Sequence, residues 1–384
     1  MNGTNKISLV KNTISDNEID QLINWLSRYP RLTQGPVVKE FESEWSNYVG
    51  VKYSTFVNSG SSALLLAYYA TCVMTGKKNV ILPGLSWATD LAPVIQFGLN
   101  PILCDCNLDD LSLDLHHLEE ILKANENCVV NVVSVLGLVP NMDKILELKE
   151  RYNFTLIEDV CESFGSTFNN KKLGSFGDVS VFSLFYGHHL STIEGGMICT
   201  NDETLDDTLK MLRAHGWDRE LSSEKQQKLR TQYQIDDFSA AYTFYIPGFN
   251  VRATDLQAML GLSQLSKADD IIKKRNENYQ YLIENLNIKW KPVCHNAFVS
   301  NFCFPIIDDR KQAIIDSLIS KGIECRPLIC GSMGQQPFYT KIYGEYKLPN
   351  CSKIDQLGIY IPNNPDLTQD ELDYITEAVN EVFL

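Results

Sequence analysis

Positive charge is what this chain is short of: 34 Lys and Arg stand against 48 Asp and Glu, a net charge of −14 over 384 residues. Nucleic acid and anionic membrane surfaces both need a basic patch, so neither is expected as a partner. A small anion held in a local basic site is still compatible with that balance. Long apolar runs are missing too. None reaches membrane-spanning length, and the start, Met1-Asn2-Gly3-Thr4-Asn5-Lys6, has no apolar core of signal-peptide size. A cytoplasmic location is therefore expected. Clustered cysteine is also lacking. The 11 cysteines are scattered, several within apolar runs (Cys72, Cys128, Cys199, Cys303), as buried reduced thiols are. Cys104-Asp105-Cys106 is the one close pair, and two ligands on a strand end do not make a metal site. Internal repeats and low-complexity stretches are absent as well.

What is present is ordinary for a globular protein: 44% apolar and 21% charged residues, in a chain long enough for a large domain and a smaller one. Asn17 to Ser27 and Val37 to Tyr48 have helical periodicity. Tyr53 to Val57 reads as a strand, and Ser59-Gly60-Ser61-Ser62 opens an apolar helix from Ala63 to Met74. Further strands are predicted at Val80 to Leu82, Pro101 to Asp105, Val129 to Val135, Thr155 to Glu158 and Val179 to Phe185. Helices between them include Leu115 to Lys123 and Met142 to Arg151. This alternation predicts an α/β fold with a mainly parallel sheet. Leu221 to Phe238 is polar without a clear period and reads as a surface excursion. Arg252 to Leu265 and Ala268 to Leu286 read as consecutive helices. From about Lys289 a smaller α+β portion begins, whose last helix starts at the capping box Thr368-Gln369-Asp370-Glu371.

Several residues carry possible chemistry. Gly60-Ser61-Ser62 lies where a strand turns into a helix, so its N–H groups either receive an anion or simply begin a capped helix. Asp159 ends an apolar strand, either capping a turn or facing a ligand. Trp87 either stacks on a flat ring or belongs to the core. Histidine is rare, with 6 in all, and His188 and His189 are adjacent. A metal site, a structural histidine and a proton-transfer group are all open readings of that pair, although no further ligands recur nearby at metal-site spacing.

Taken in order, a set of segments resembles the DegT/DnrJ/EryC1/StrS family of pyridoxal-phosphate enzymes acting on nucleotide sugars. They are Leu32-Thr33-Gln34-Gly35-Pro36, Asn58-Ser59-Gly60-Ser61-Ser62-Ala63-Leu64, Glu158-Asp159 with Glu162, Ser183, Glu194-Gly195-Gly196 and Pro247-Gly248-Phe249-Asn250-Val251-Arg252. The likeness runs from about residue 30 to 265 and continues more weakly to the end. It implies a fold-type I, aspartate-aminotransferase-like fold. Residues 1–265 would form an N-terminal segment and large cofactor-binding domain, and 266–384 a linking helix and small α+β domain. Gly60 and Ser61 would hold the cofactor phosphate, joined by Asn250 from a second subunit of a homodimer with shared sites. Trp87 would stack on the ring and Asp159 would meet its nitrogen, keeping it an electron sink. Glu162 and Ser183 would contact the cofactor. His215 would receive the amino donor, L-glutamate. Arg31, Leu32, Thr33, Arg219, Arg252 and Glu324 would contact the nucleotide sugar, with Arg326 a further candidate. No metal is implied.

Where the family usually has the lysine that holds the cofactor covalently, this chain has His188. A histidine moves a proton but cannot make that bond. The His-His pair, Arg213-Ala214-His215-Gly216-Trp217 and Gly322-Ile323-Glu324-Cys325-Arg326-Pro327 are similar to the sugar 3-dehydratases of the family. The implied reaction starts when glutamate converts pyridoxal phosphate to pyridoxamine phosphate. The 3-hydroxyl of a nucleotide-linked 4-keto-6-deoxy sugar is then lost, with ammonia released, and a GDP-linked mannose derivative is the implied substrate. A free pKa of about 6.5 would let His188 act in both directions near neutrality. A related iron–sulfur branch needs closely spaced thiolates, and Trp217 to Phe249 contains no cysteine. Two rivals remain: an amino-sugar transaminase using another lysine, with Lys171-Lys172 the nearest earlier pair, and a non-catalytic cofactor or nucleotide-sugar sensor. His189 has no role in any of these readings.

Overall fold

The run Val129-Val130-Asn131-Val132-Val133 lacks the alternation of a half-exposed strand, as expected where both faces are covered. All five residues are buried in the main sheet. The computed structural model describes residues 6–384; Met1–Asn5, on which most of the signal-peptide reading falls, lie outside them. Helices α1 (Asp16–Leu26) and α2 (Pro36–Val49) precede β1 (Tyr53–Val57), α3 (Gly60–Tyr68), β2 (Asn79–Pro83), α4 (Ala88–Gln96) and β3 (Asn100–Cys104). Next come α5 (Leu115–Ala124), β4 (Val129–Val133), α6 (Met142–Tyr152) and β5 (Thr155–Asp159). A short hairpin, β6 (Thr167–Phe168) and β7 (Lys171–Lys172), leads to β8 (Val179–Ser183) and β9 (Gly196–Thr200). Then follow α7 (Glu203–Arg213), α8 (Ser223–Tyr233), α9 (Asp255–Leu265) and α10 (Ala268–Asn285). The remainder comprises β10 (Ala297–Phe298), β11 (Phe304–Ile307), α11 (Lys311–Ser320), β12 (Arg326–Pro327), α12 (Pro337–Tyr343), α13 (Pro349–Leu357), β13 (Gly358–Ile361) and α14 (Gln369–Asn380).

The seven-stranded sheet has the order β1-β9-β8-β5-β4-β2-β3, and its pairs are parallel except the two made by β9. This is the expected α/β architecture with a mainly parallel sheet. A small antiparallel sheet, β11-β13-β12, belongs to the C-terminal part, and Ile7 bridges to Ile323 beside it. The main sheet's register positions the site. Gly196 pairs with both Val57 and Ser183, so the carboxyl ends of β1 and β8 lie side by side with β9 between them. A Cβ on Gly196 would stand 2.2 Å from the carbonyl oxygen of Ser59, so only glycine permits that approach. Ligands in open α/β sheets bind at such carboxyl ends. No helix among the described residues is long and apolar enough to cross a membrane.

Local chemistry moves several predicted boundaries. The apolar helix starts at Gly60, three positions before Ala63, because the Ser59 side chain accepts the Ser62 N–H at 3.0 Å. The helix placed at Arg252 begins only at Asp255, behind a Thr254 cap, while Arg252 stays extended and bridges to Val57. The excursion from Leu221 contains α8, which buries no side chain and so leaves no apolar period to read. Strand β9 was not predicted; it is a buried run of five residues pairing antiparallel to both neighbours. The capping box at Thr368 is present, with Thr368 N–H and Glu371 N–H each bonded to the other's side chain at 2.9 and 3.2 Å.

Arg213, at the end of α7, is completely buried. Its guanidinium donates to Glu42 on α2, to Glu220, and to the Phe56 carbonyl on β1 at 2.6 Å. One side chain thus ties the end of α7 to the sheet and to α2. Arg213→Met would leave Glu42 buried without its partner. The expected loss of stability is about 3–5 kcal/mol, read as a lowered urea midpoint with an unchanged m value.

Candidate active site

A cavity of about 440 Å³ opens at the carboxyl ends of β1, β5 and β8. Gly60, Ser61, Trp87, Asp159, Glu162, Ser183 and His188 all line it, so six of the seven predicted cofactor contacts surround the predicted proton carrier. At one end, Gly60 and Ser61 begin α3, ahead of any intrahelical acceptor for their N–H groups. A Cβ on Gly60 would lie 2.8 Å from that of Ser183, so glycine is required for the helix start to reach the sheet. Trp87 is 56% exposed and lines the cavity, so it is accessible to a flat ligand. At the other end Asp159 is buried, its carboxylate accepting the Cys161 N–H at 2.9 Å. Glu162 accepts the Leu136 N–H at 2.8 Å, and burial, with the charge of Asp159 adding, pushes it up to about 7.

His188 stands on the turn between β8 and β9, held by N–H bonds from Leu184 to Gly195 (2.9 Å) and from Tyr186 to Ile193 (3.0 Å). Its ring stacks on Phe302 with centroids 5.2 Å apart. Nδ1 lies 2.7 Å from the Cys161 carbonyl, an acceptor only, so Nδ1 carries the hydrogen and Nε2 of the neutral ring holds the lone pair. Burial lowers the pKa to about 4, with the positive charge of Arg275 adding to the effect. This corrects the expectation of a ring poised near neutrality: the surroundings of His188 hold it neutral. His189 is a structural neighbour. It is fully buried, with Nε2 donating to the Ser300 carbonyl at 3.0 Å. Lys171 and Lys172 sit on β7, where the Lys172 ammonium lies 3.4 Å above the Tyr48 ring. Among the described residues no lysine lines the cavity.

The remaining candidates lie elsewhere on the chain. Arg31, Thr33, Arg219 and Arg252 line a separate recess of about 890 Å³ together with Lys39 and Trp217. The Arg219 guanidinium lies 3.8 Å over the Trp217 ring. Leu32 is exposed beside this recess and accepts the Asp255 N–H at 3.1 Å. His215 adopts φ 63° with its ring 4.9 Å from Trp217, and exposed Asn250 bridges to Ala214. The two cavities share no lining residue. Glu324 and Arg326 form an ion pair on a third side, where Arg326 pairs in the small sheet with Tyr360, a cavity-lining residue. Asp90, Cys161 and Phe302 were missed. Asp90 had a readable signal, since Trp87-Ala88-Thr89-Asp90 carries an acidic residue at the capping-box position. The Cys161 carbonyl and Phe302 had none. Beside Cys104, the Asp105 carboxylate accepts the N–H groups of Cys106, Asn350 and Cys351 at the start of α13, and the Cys106 and Cys351 thiols lie within 4.8 Å of it and of each other.

An anion-ready helix start, an accessible tryptophan, a buried carboxylate at the far end and a neutral histidine together fit a phosphorylated pyridine cofactor in a fold-type I enzyme. Residues 13–380 match the DegT/DnrJ/EryC1/StrS aminotransferase family. The chain is 34% identical over 366 residues to GDP-4-keto-6-deoxy-D-mannose 3-dehydratase of Escherichia coli O55:H7, covering 90% of this chain and 92% of that one. It is 29% identical to GDP-perosamine synthase of Caulobacter vibrioides, covering 99% of each. A crystal structure of GDP-4-keto-6-deoxymannose-3-dehydratase with a trapped PLP–glutamate geminal diamine superposes with a TM-score of 0.88. Its identity is 30%, over 97% of this chain and 100% of that one. The chain belongs to the DegT/DnrJ/EryC1/StrS aminotransferase family and is a pyridoxal-phosphate-dependent enzyme. Gly60 and Ser61 fit the cofactor's phosphate and Asp159 its ring nitrogen.

The lowered pKa makes a direct expectation for His188. Its ring resonances should hold their neutral positions through the interval of about pH 8 to 5 in which an ordinary histidine titrates. They should move only near pH 4. A midpoint near 6.5 in NMR titration would contradict the burial argument.

Proposed function

We propose that this protein removes the 3-hydroxyl of a nucleotide-linked 4-keto-6-deoxy sugar, with GDP-4-keto-6-deoxy-D-mannose as the leading substrate and L-glutamate as amino donor. The products are a 4-keto-3,6-dideoxy sugar, ammonia and 2-oxoglutarate, glutamate supplying the two electrons by which the sugar is deoxygenated. The observation that carries this reading is a neutral histidine, and among the described residues no lysine, on the wall of the cofactor cavity. When bound, pyridoxamine phosphate supplies the amine that joins the sugar ketone and the ring that accepts an electron pair. His188 Nε2 would take a proton from the carbon that bears that amine, leaving the electron pair to the ring. The surroundings disfavour the cation that results, so the same nitrogen readily returns the proton to the departing hydroxyl. His215 is proposed to receive the glutamate carboxylate, and Glu324, with Arg326, the sugar. The relatives named as dehydratases support this chemistry. The perosamine synthase relative represents the amination alternative, which needs a lysine where the described cavity wall has none.

The nucleotide diphosphate suits the recess of Arg31, Lys39, Arg219 and Arg252, with Trp217 beside it for the base. Because that recess shares no wall with the cofactor cavity in one chain, we propose a homodimer in which each copy's recess and Asn250 complete the other's cavity.

Exchange of His188 tests the chemistry. His188→Asn should lower dehydration about 10²- to 10⁴-fold without forming any borohydride-stable cofactor adduct, and near-normal turnover would sink the reading. His188→Lys should lose dehydration as well but capture the cofactor covalently.

Mixing inactive His188→Asn with inactive Arg252→Ala tests the shared site. Mixed dimers should regain activity absent from both parents. No recovery after verified subunit exchange would contradict the composite arrangement.

A further inference from the structure

The His188 imidazole is tied at one nitrogen to the Cys161 carbonyl, and a single hydrogen bond leaves a ring room to swing. Phe302 supplies a second restraint. Its ring lies at 27° to the imidazole with centroids 5.2 Å apart, and both residues line the cofactor cavity. Phe302 sits in the loop between β10 and β11, so no regular element holds it. Bonds from several sides do so instead. The Phe302 N–H and the Asn301 side-chain amide both donate to the Leu136 carbonyl, at 2.9 and 2.7 Å. The buried guanidinium of Arg275, on α10, donates to the Asn301 and Phe302 carbonyls at 3.3 and 2.8 Å. It donates also to the Asn363 carbonyl, just past β13, at 2.6 Å. The Asn363 amide in turn reaches the Asn301 side-chain oxygen at 2.8 Å, and His189 secures the preceding residue through the Ser300 carbonyl.

Leu136 is in the left-handed region, φ 52° and ψ 23°, which a leucine seldom adopts. There its N–H donates to Glu162 while its carbonyl receives Asn301 and Phe302. Backbone strain of this kind persists only where the surroundings over-determine it, and it collects at functional sites. We propose that Phe302 is a positioning residue for proton transfer: its ring, locked in place through Leu136 and Arg275, backs the His188 imidazole and fixes the direction of Nε2. A swinging imidazole would carry Nε2 away from the proton it must take, and a misplacement of about 1 Å costs about 10²-fold in rate. Aromatic contact imposes a preferred mutual orientation, which an aliphatic side chain of similar bulk does not.

Phe302 acts through His188, so the assignment rests on the reading of His188 as the base, and the two fail separately. In the cofactor-free protein, nitrogen NMR should show the His188 ring as one tautomer, protonated at Nδ1. Phe302→Leu, which keeps apolar bulk without a flat face, should mix the two tautomers. Phe302→Tyr, which keeps the face, should retain the single one. In the loaded enzyme, Phe302→Leu should slow single-turnover dehydration about 10- to 100-fold. The sugar concentration for half-maximal rate and the affinity for pyridoxamine phosphate should stay unchanged, and Phe302→Tyr should recover most of the rate. An unchanged rate or a single tautomer in Phe302→Leu overturns the assignment. So does a matching loss of cofactor affinity, which marks a packing role, or a Tyr variant as slow as the Leu one. If Phe302→Leu does not fold, Phe302→Met takes its place with the same outcomes. An inactive His188→Asn beside a fully active Phe302→Leu keeps the base and removes Phe302. An active His188→Asn, with tautomers mixed in Phe302→Leu, keeps the ring contact and removes the base.

Discussion

The Nδ1–H of His188 donates to the carbonyl of Cys161 at 2.7 Å, and the chemistry of the cavity depends on that contact. Cys161 follows Asp159 by two residues, and its N–H in turn holds the Asp159 carboxylate at 2.9 Å. One short loop after β5 therefore sets both the tautomer of His188 and the orientation of the Asp159 carboxylate. The loop can do so because β5 and β8 are parallel neighbours, with Asp159 paired to Val181 in register, so their carboxyl ends open on the same side. Slipping one of these strands by one residue would exchange its cavity-facing and core-facing side chains.

Electrostatics inside the cavity point in a single direction. Burial disfavours every isolated charge, pulling His188 down to about 4 and pushing Glu162 up to about 7. A base kept neutral accepts one proton and parts with it easily, whereas a lysine would be either charged or tied to the cofactor. In contrast, the recess around Arg219 and Arg252 concentrates positive charge within an acidic protein. The two environments would suit the two ends of the proposed substrate, a sugar losing its hydroxyl and a diphosphate that only needs holding.

Much of this was legible beforehand because the signals were local. The strand–helix alternation and the Thr368 capping box are each set by neighbours in sequence, and each was found in place. The residues around the cofactor cavity were legible as motifs, and the sheet register brings them together. What escaped reading depends on distance. The Cys161 carbonyl has no side-chain signature, and Phe302 reaches His188 from more than a hundred positions away. The lowered pKa follows from burial and Arg275, neither of which a free histidine value contains. The recess formed by Arg31, Arg219 and Arg252 needed a folded chain to appear as one surface, separate from the cofactor cavity.

The central claim is that His188 directs the cofactor's amine toward elimination instead of transfer. The most direct test loads the protein with pyridoxamine phosphate carrying isotopically labelled amine nitrogen and follows a single turnover with a nucleotide 4-keto-6-deoxy sugar. The account predicts that the label leaves as free ammonia while the sugar loses its 3-hydroxyl and retains no nitrogen. Label found in a sugar that still carries its 3-hydroxyl would contradict it.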